Sequence, residues 1–164
     1  MTKKKVKNKK GFTLSELLVA MIILSLMTVL LVTGVNLASR SYRTVTDEGN
    51  AQVLVSTFAS MLRNELSNAN DVTESADGYT YKKGGSYYIM SLKTDGKGQL
   101  LIGEPGYEEV LISPLTATND LYVSIDSIDY SDTDKLFTIQ GIAARRTSDD
   151  TVVSSIKLLL ISNN

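Results

Sequence analysis

The chain contains no cysteine and no histidine among its 164 residues. The absence of cysteine excludes disulfides, thiolate nucleophiles and Cys-ligated zinc or iron–sulfur clusters. The absence of histidine removes the commonest general base and the commonest metal ligand. The sequence also lacks the G-x-x-x-x-G-K-[ST] loop that binds nucleotide phosphates. We therefore predict no catalytic residue, no cofactor and no metal site, and we expect a protein that is not an enzyme.

Acidic residues are missing from the N-terminus. The first eleven residues carry six lysines and no acid, whereas the remainder carries 11 Lys and Arg against 18 Asp and Glu. An acidic body is a poor surface for nucleic acid, since phosphate neutralisation needs clustered cations. We do not expect direct nucleic acid binding. The six lysines are Lys3, Lys4, Lys5, Lys7, Lys9 and Lys10.

Directly after this basic segment lies an apolar run without any charge, Leu17–Val35, whose polar members are Ser25, Thr28 and Thr33. About 20 helical residues cross the ~30 Å hydrocarbon core of a bilayer. Lysines on the N-terminal side keep that side in the cytoplasm. The run predicts a single-pass transmembrane helix with an extracytoplasmic C-terminal body.

An ordinary secretory signal explains only part of this segment. A signal peptide has an apolar region of roughly 7–15 residues followed by a small-residue cleavage site. Here the apolar run is longer, and residues 36–43 offer only a weak site. A plain signal anchor fits the length and the orientation, but it leaves Gly11, Phe12 and Glu16 without a role.

The stretch KGFTLSE, residues 10–16, resembles the leader junction of type IV prepilins. The resemblance implies that a prepilin peptidase cleaves after Gly11 and methylates the new N-terminal amine of Phe12. It also implies that Glu16, the fifth residue of the mature chain, pairs during assembly with the N-terminal amine of a neighbouring subunit. The resemblance covers residues 3–35.

The cost of a charge in a membrane segment also favours a positively charged partner for Glu16. A carboxylate within a membrane segment costs of order 2.5–3.5 kcal/mol at the centre, and less near the interface. The N–H groups and the dipole at the start of a helix favour an anion. Phe12 supplies a positive partner only after cleavage.

Beyond the membrane segment the apolar residues recur mostly every three or four positions, which predicts one face of an amphipathic helix. After Asp71 the period changes to two, which indicates strands. A long helix followed by an antiparallel sheet is an α+β layout similar to pilins. The helical stripe comprises Leu37, Val45, Ala51, Leu54, Val55, Phe58, Met61, Leu62 and Leu66.

We predict four segments: a basic leader (1–11), a transmembrane and filament-core helix (12–35), its amphipathic continuation (36–70) and an extracytoplasmic antiparallel β domain (71–164). The C-terminal strand is strongly apolar and is predicted to be central. The predicted strands are Tyr79–Lys82, Ser86–Leu92, Gln99–Ile102, Glu109–Ser113, Leu121–Tyr130, Leu136–Ala144 and Val152–Ser162.

Three other groups of residues have a possible binding role and a simpler structural explanation. Four aspartates around one turn could bind calcium, but their spacing differs from the EF-hand pattern and Asp is a common turn residue. Arg145 and Arg146 could contact phosphate, although Asp149 and Asp150 more simply balance them across a hairpin end. Tyrosines near two lysines could stack on bases, although tyrosine is common in strands. The aspartates are Asp126, Asp129, Asp132 and Asp134, and the tyrosines and lysines are Tyr79, Tyr81, Tyr87, Tyr88, Lys82 and Lys83.

The sequence therefore predicts a prepilin-like structural subunit, with prepilin peptidase, other pilin or pseudopilin subunits and membrane lipid as its partners. It would pass from the bacterial cytoplasmic membrane into an extracytoplasmic filament at the cell surface. A minor subunit is expected, and a type IV pilus, a competence pseudopilus for DNA uptake and a type II secretion pseudopilus stay open. The alternative is a single-pass, membrane-anchored binding domain that prepilin peptidase does not process.

Overall fold

The structure is a computed structural model that describes residues 11–83, 89–112 and 120–162. It contains one long helix, α1 (Leu14–Leu66), followed by antiparallel strands. The chain divides into two compact units, Met1–Thr44 and Val45–Asn164. The predicted fold class is confirmed: a long N-terminal helix packs by its C-terminal part on antiparallel sheets, in a pilin-like α+β arrangement. The four predicted segment boundaries stay predictions.

In the first unit, the apolar side chains of α1 are exposed and do not pack against other described residues. Every side chain from Leu14 to Arg43 is exposed. By length and composition α1 can cross a membrane, and it is the one such helix within the described residues. Apolar side chains exposed over this length need lipid or other protein around them.

The second unit contains two antiparallel sheets. The first is a five-stranded meander in the order β1-β2-β3-β4-β5. In the second sheet β6 and β7 pair with successive halves of β8 along one edge, while β9 pairs along the other. The strands are β1 (Ala69–Ser75), β2 (Gly78–Lys83), β3 (Ile89–Thr94), β4 (Leu100–Gly103), β5 (Glu109–Val110), β6 (Leu121–Ser124), β7 (Ser127–Ser131), β8 (Leu136–Arg146) and β9 (Val152–Ser162).

The core of the second unit forms where α1 meets the sheets. Most of the predicted helical stripe is buried there, whereas Leu37, Val45 and Met61 remain exposed. Aromatic rings of Tyr79, Tyr130 and Phe137 join the two sheets, with ring centroids 4.6 to 6.5 Å apart. The buried residues of α1 are Ala51, Leu54, Val55, Phe58, Leu62 and Leu66.

Phe58 is the largest side chain that α1 buries, with 1% of its surface exposed. We expect Phe58→Ala to lower the free energy of unfolding of this unit by about 3–5 kcal/mol, because a cavity replaces the ring. Urea unfolding of the full chain in detergent, followed by tyrosine fluorescence, measures the change. Val53→Ala on the exposed face of the same helix is the control, and we expect a change within about 0.5 kcal/mol. Equal losses in both variants would contradict the buried position of Phe58.

Three strand predictions differ from the structure. β9 is not central: within the described residues it pairs only with β8, and Leu158 and Leu160 are about half exposed. The predicted strand Leu121–Tyr130 is interrupted at Ile125–Asp126, opposite Gly141, whose φ of +64° breaks the regular ladder. The polar strand β1 was not predicted. The other strands occur close to their predicted places, except that residues 84–88 and 113–119 lie outside the described part of the chain.

An ion pair fixes the loop before β5 to β3. The Lys93 ammonium lies 2.9 Å from Glu108 Oε2, and only 8% of the Glu108 side chain is exposed. The hydrogen bond from Lys93 is the main cause that lowers the pKa of Glu108 to about 2; backbone groups of Glu108 and Gly106 and the Ser91 side chain add to it. Because the folded pKa lies below the unfolded value near 4.3, ionised Glu108 stabilises the fold above that value.

Glu108→Gln should therefore lower the free energy of unfolding at pH 7. The difference from wild type should shrink as the pH falls from about 4.3 towards about 2, where wild-type Glu108 also becomes neutral. Urea titrations of both chains at a series of pH values measure the difference. A difference that stays constant with pH would show that the charge of Glu108 contributes nothing.

Candidate processing and assembly site

Thr13 and Glu16 form a reciprocal cap at the start of α1. Glu16 Oε2 accepts hydrogen bonds from the backbone N–H of Thr13 and from its hydroxyl, both at 2.9 Å. In return, the N–H of Glu16 donates to Thr13 Oγ1 at 3.3 Å. The first helical bond runs from the N–H of Leu17 to the carbonyl of Thr13 at 3.1 Å. This is a capping box, with Thr13 as the N-cap and Glu16 three residues later.

The capping box gives Glu16 two donors from its own chain before any partner arrives. Within the described residues, the hydrogen bonds of Glu16 near the start of the helix involve Oε2 and its backbone N–H, and Oε1 accepts none. One carboxylate oxygen is therefore bound locally, and the other is open to a cation. The sequence analysis did not identify Thr13, although the T-x-x-E spacing of Thr13 and Glu16 is itself a capping-box signal.

Gly11 and Phe12 precede the helix and are both exposed. The Phe12 side chain is 83% exposed. A methyl group added at Gly11 would meet no atom within 4 Å. The predicted cleavage junction is thus exposed, and no packing against the described residues covers it.

The hydroxyl groups of the apolar run are satisfied within the helix. Ser25 donates to the carbonyl of Ile22 and Thr28 to that of Leu24, both at 2.8 Å. Thr33 likewise bonds to the carbonyl of Val29. Such bonds remove the cost of placing a hydroxyl in hydrocarbon. Among the described residues, Glu16 differs from these three because it carries a charge and keeps one oxygen, Oε1, without a hydrogen bond.

The four aspartates considered for calcium serve local roles or lie apart. Asp132 pairs with Lys135 at 2.5 Å, and Asp134 accepts a hydrogen bond from Ser131 at 2.9 Å. Within the described residues no group of three or more acidic side chains is arranged to hold a metal ion. The structure thus adds no support for a calcium site.

The tyrosines considered for base stacking belong partly to the core. Tyr81 is 1% exposed, and its hydroxyl donates to Glu65 Oε1 at 3.0 Å. Tyr79 packs edge-on against Tyr130 and Phe137. Neither ring is free to stack on a base, and Tyr87 and Tyr88 lie outside the described residues.

The paired arginines at the end of β8 are balanced by acids, as the hairpin interpretation predicted. Arg145 lies 3.6 Å from Asp150, and Arg146 lies 3.9 Å from Asp149. Arg146 also reaches Asp47 of α1 at 3.0 Å, a contact that the sequence did not reveal. The ion pairs of the two arginines connect β8 to the following turn and to α1 within the second unit.

Comparison with known proteins identifies the same N-terminal segment. The family described as "Prokaryotic N-terminal methylation motif" matches residues 6–32. No curated protein matches the chain, and no solved structure does. The matched residues include the open junction at Gly11 and Phe12, the capping box of Thr13 and Glu16, and most of the exposed apolar run. The chain therefore carries the prokaryotic N-terminal methylation motif, which is the type IV prepilin-like signature.

Proposed function

We propose that this chain is a prepilin-like structural subunit, cleaved after Gly11, methylated on the amine of Phe12 and assembled into a type IV pilus or a related pseudopilus. The observation that carries the proposal is the methylation motif over residues 6–32, on a helix whose apolar residues are all exposed as far as Arg43. Both features suit a helix that passes from lipid into the core of a filament. Together they suggest a structural subunit rather than an enzyme.

Assembly depends in this proposal on Glu16. Cleavage creates an ammonium group at Phe12, within a segment that otherwise carries no cation between Gly11 and Ser39. Glu16 Oε1 has no hydrogen bond within the described part of the chain and can accept one from that amine of a neighbouring subunit, while Thr13 donates to Oε2. An ion pair in a low-dielectric environment is far stronger than one in water. The pair would therefore favour the assembled subunit over the isolated one in lipid.

The subunit is proposed to enter the cytoplasmic membrane with its lysine-rich leader inside and its acidic β domain outside. Its partners would be prepilin peptidase, other pilin or pseudopilin subunits and, before assembly, membrane lipid. A minor subunit is proposed on the basis of the several-stranded domain. Among the filament systems, a competence or type II secretion pseudopilus is as compatible with these features as a surface pilus.

The N-terminal state of the chain tests this proposal. The full chain is co-expressed with a prepilin peptidase, purified from membranes and analysed by mass spectrometry. We expect a mature chain that begins at Phe12 and carries one methyl group on its amine. A chain that keeps its six lysines, or is cut beyond Val35, would instead identify a membrane-anchored domain or a secreted one, and the proposal would fail.

A further inference from the structure

The strand β9 forms one edge of the second sheet. Its 11 residues pair with β8 along one side, and within the described residues no strand pairs along the other side. Such an edge presents a row of backbone N–H and C=O groups that can pair with another strand. Many proteins blunt an edge with a bulge, but the register irregularity of this hairpin lies near its turn, between Ala144 and Arg145 of β8. Most of the length of β9 is therefore able to accept a further strand.

The two faces of β9 differ, because successive residues of a strand point to opposite sides. On the face turned to the core, Leu159 and Ile161 are buried. On the outer face, Leu158 and Leu160 are 51% and 49% exposed, and their register partners on β8 are polar. The outer face thus places exposed apolar side chains beside the backbone edge, and a further strand would cover both.

Lys157 lies at the middle of β9, on the same face as Leu159 and Ile161, but it is exposed. No acid in the described part of the chain forms an ion pair with it. A lysine on an edge strand protects the edge against unwanted pairing. It also selects the partner, because an acid directly opposite Lys157 is attracted and a cation there is repelled.

A second copy of this chain offers no matching edge among the strands that the structure describes. Two β9 strands, antiparallel and in full overlap, would place their Lys157 side chains opposite each other, which is unfavourable. The strand β1 has a register irregularity between Asn70 and Thr73, and its exposed side chains are polar. The strand β5 has two residues, and β6 and β7 have four and five. None of these edges supplies a long strand with apolar side chains and a central acid.

We infer that the edge of β9 binds an extended segment of a different protein, which adds a strand to the second sheet. The segment carries Glu or Asp opposite Lys157, with an apolar residue on either side of that acid. These apolar residues point to the outer face, beside Ile156 and Leu158. Backbone pairing supplies the affinity, and the side chains supply the specificity. The inference does not depend on cleavage after Gly11 or on filament assembly, since β9 belongs to the second unit.

Two labelled peptides test this contact on the full chain in detergent. In both, threonine alternates with valine over nine residues, and the central threonine is replaced by glutamate in one peptide and by lysine in the other. Fluorescence anisotropy measures the two affinities. We expect the glutamate peptide to bind roughly five- to tenfold more tightly, because an attractive cross-strand pair replaces a repulsive one. Lys157→Glu should reverse this preference. Lys97→Glu, which makes the same charge change at an exposed turn, is the matched control and should keep it.

Two further measurements identify a contact of another kind. The glutamate peptide with N-methylated amides cannot donate to the strand edge, so it should not bind. Equal binding of that peptide would show apolar adsorption instead of strand addition. Lys157→Cys, oxidised in detergent, should form no more disulfide-linked dimer than Lys97→Cys, and a clear excess would show that a second copy occupies the edge.

The peptide affinities can also overturn the inference by themselves. It fails if the wild-type chain binds both peptides equally, or binds neither more tightly than about 1 mM. It fails as well if Lys157→Glu keeps the wild-type preference. The comparison of the two peptides on the wild-type chain does not depend on the folding of any variant.

Discussion

The Gly11→Ala chain is expected to keep its lysine-rich N-terminus when it is co-expressed with prepilin peptidase. The added methyl group meets no atom within 4 Å of its position, so the fold of the chain itself should not change. The same methyl group lies next to the bond that the proposed peptidase cuts, where it crowds the approach of the enzyme. Intact-mass spectrometry should show the full-length chain as nearly the whole product, against mature chain for the wild type.

Gly34→Ala is the matched control for this prediction. It makes the same substitution in the same helix-bearing unit, and its methyl group also meets no atom within 4 Å. Because Gly34 lies far along the chain from the junction, cleavage after Gly11 should be unaffected. If Gly11→Ala were processed as efficiently as Gly34→Ala, Gly11 would not be the recognised residue, and the prepilin interpretation of the junction would lose its basis.

The membrane-type helix and the methylation motif near the N-terminus were predictable because their signals are local. The basic leader, the junction and the apolar run lie within one continuous stretch, and the family match over residues 6–32 covers much of it. The helical stripe from Ala51 to Leu66 was predictable for the same reason, since its period belongs to one element. No partner from elsewhere in the chain is needed to read either signal.

The order of the strands was not predictable in the same way. β9 is the most apolar strand, yet the hairpin to β8 and the pairing of β6 and β7 on the far side of β8 leave it at the edge of the described sheet. Strand pairing depends on residues distant in sequence, so hydrophobicity alone misplaced it. β1 was missed because its residues are mostly polar and exposed. It becomes a strand through its pairing with β2.

In the candidate site, too, some features follow from the sequence and others require the structure. Residue type and spacing predicted roles for Gly11, Phe12 and Glu16, which stay predictions, whereas the structure shows that Thr13 donates two hydrogen bonds to Glu16 Oε2. That contact changes what a substitution of Glu16 measures. Removing the carboxylate removes a helix cap together with the proposed partner of the Phe12 amine.

Glu16→Ala is expected to be cleaved after Gly11 but to fail to assemble. The junction residues Gly11 and Phe12 are unchanged, so the peptidase substrate remains. The loss of the cap should fray the first turn of α1, at a cost comparable to the ~0.5–2 kcal/mol measured for other helix caps. The larger loss is the charge that is proposed to pair with the Phe12 amine. The measurement is the fraction of mature subunit recovered in sheared filaments relative to membranes, with a coassembling set of pilin subunits present.

Glu16→Gln separates the two roles of this side chain. Glutamine also serves at this position of a capping box, so Glu16→Gln keeps the bonds with Thr13 but has no charge. We expect it to be processed and to fail to assemble, as Glu16→Ala does. Thr13→Val is the converse control: it removes the hydroxyl and leaves Glu16 ionised, so assembly should persist, at a reduced level. If Glu16→Gln assembled normally while Thr13→Val did not, the capping box rather than the charge would be what assembly requires.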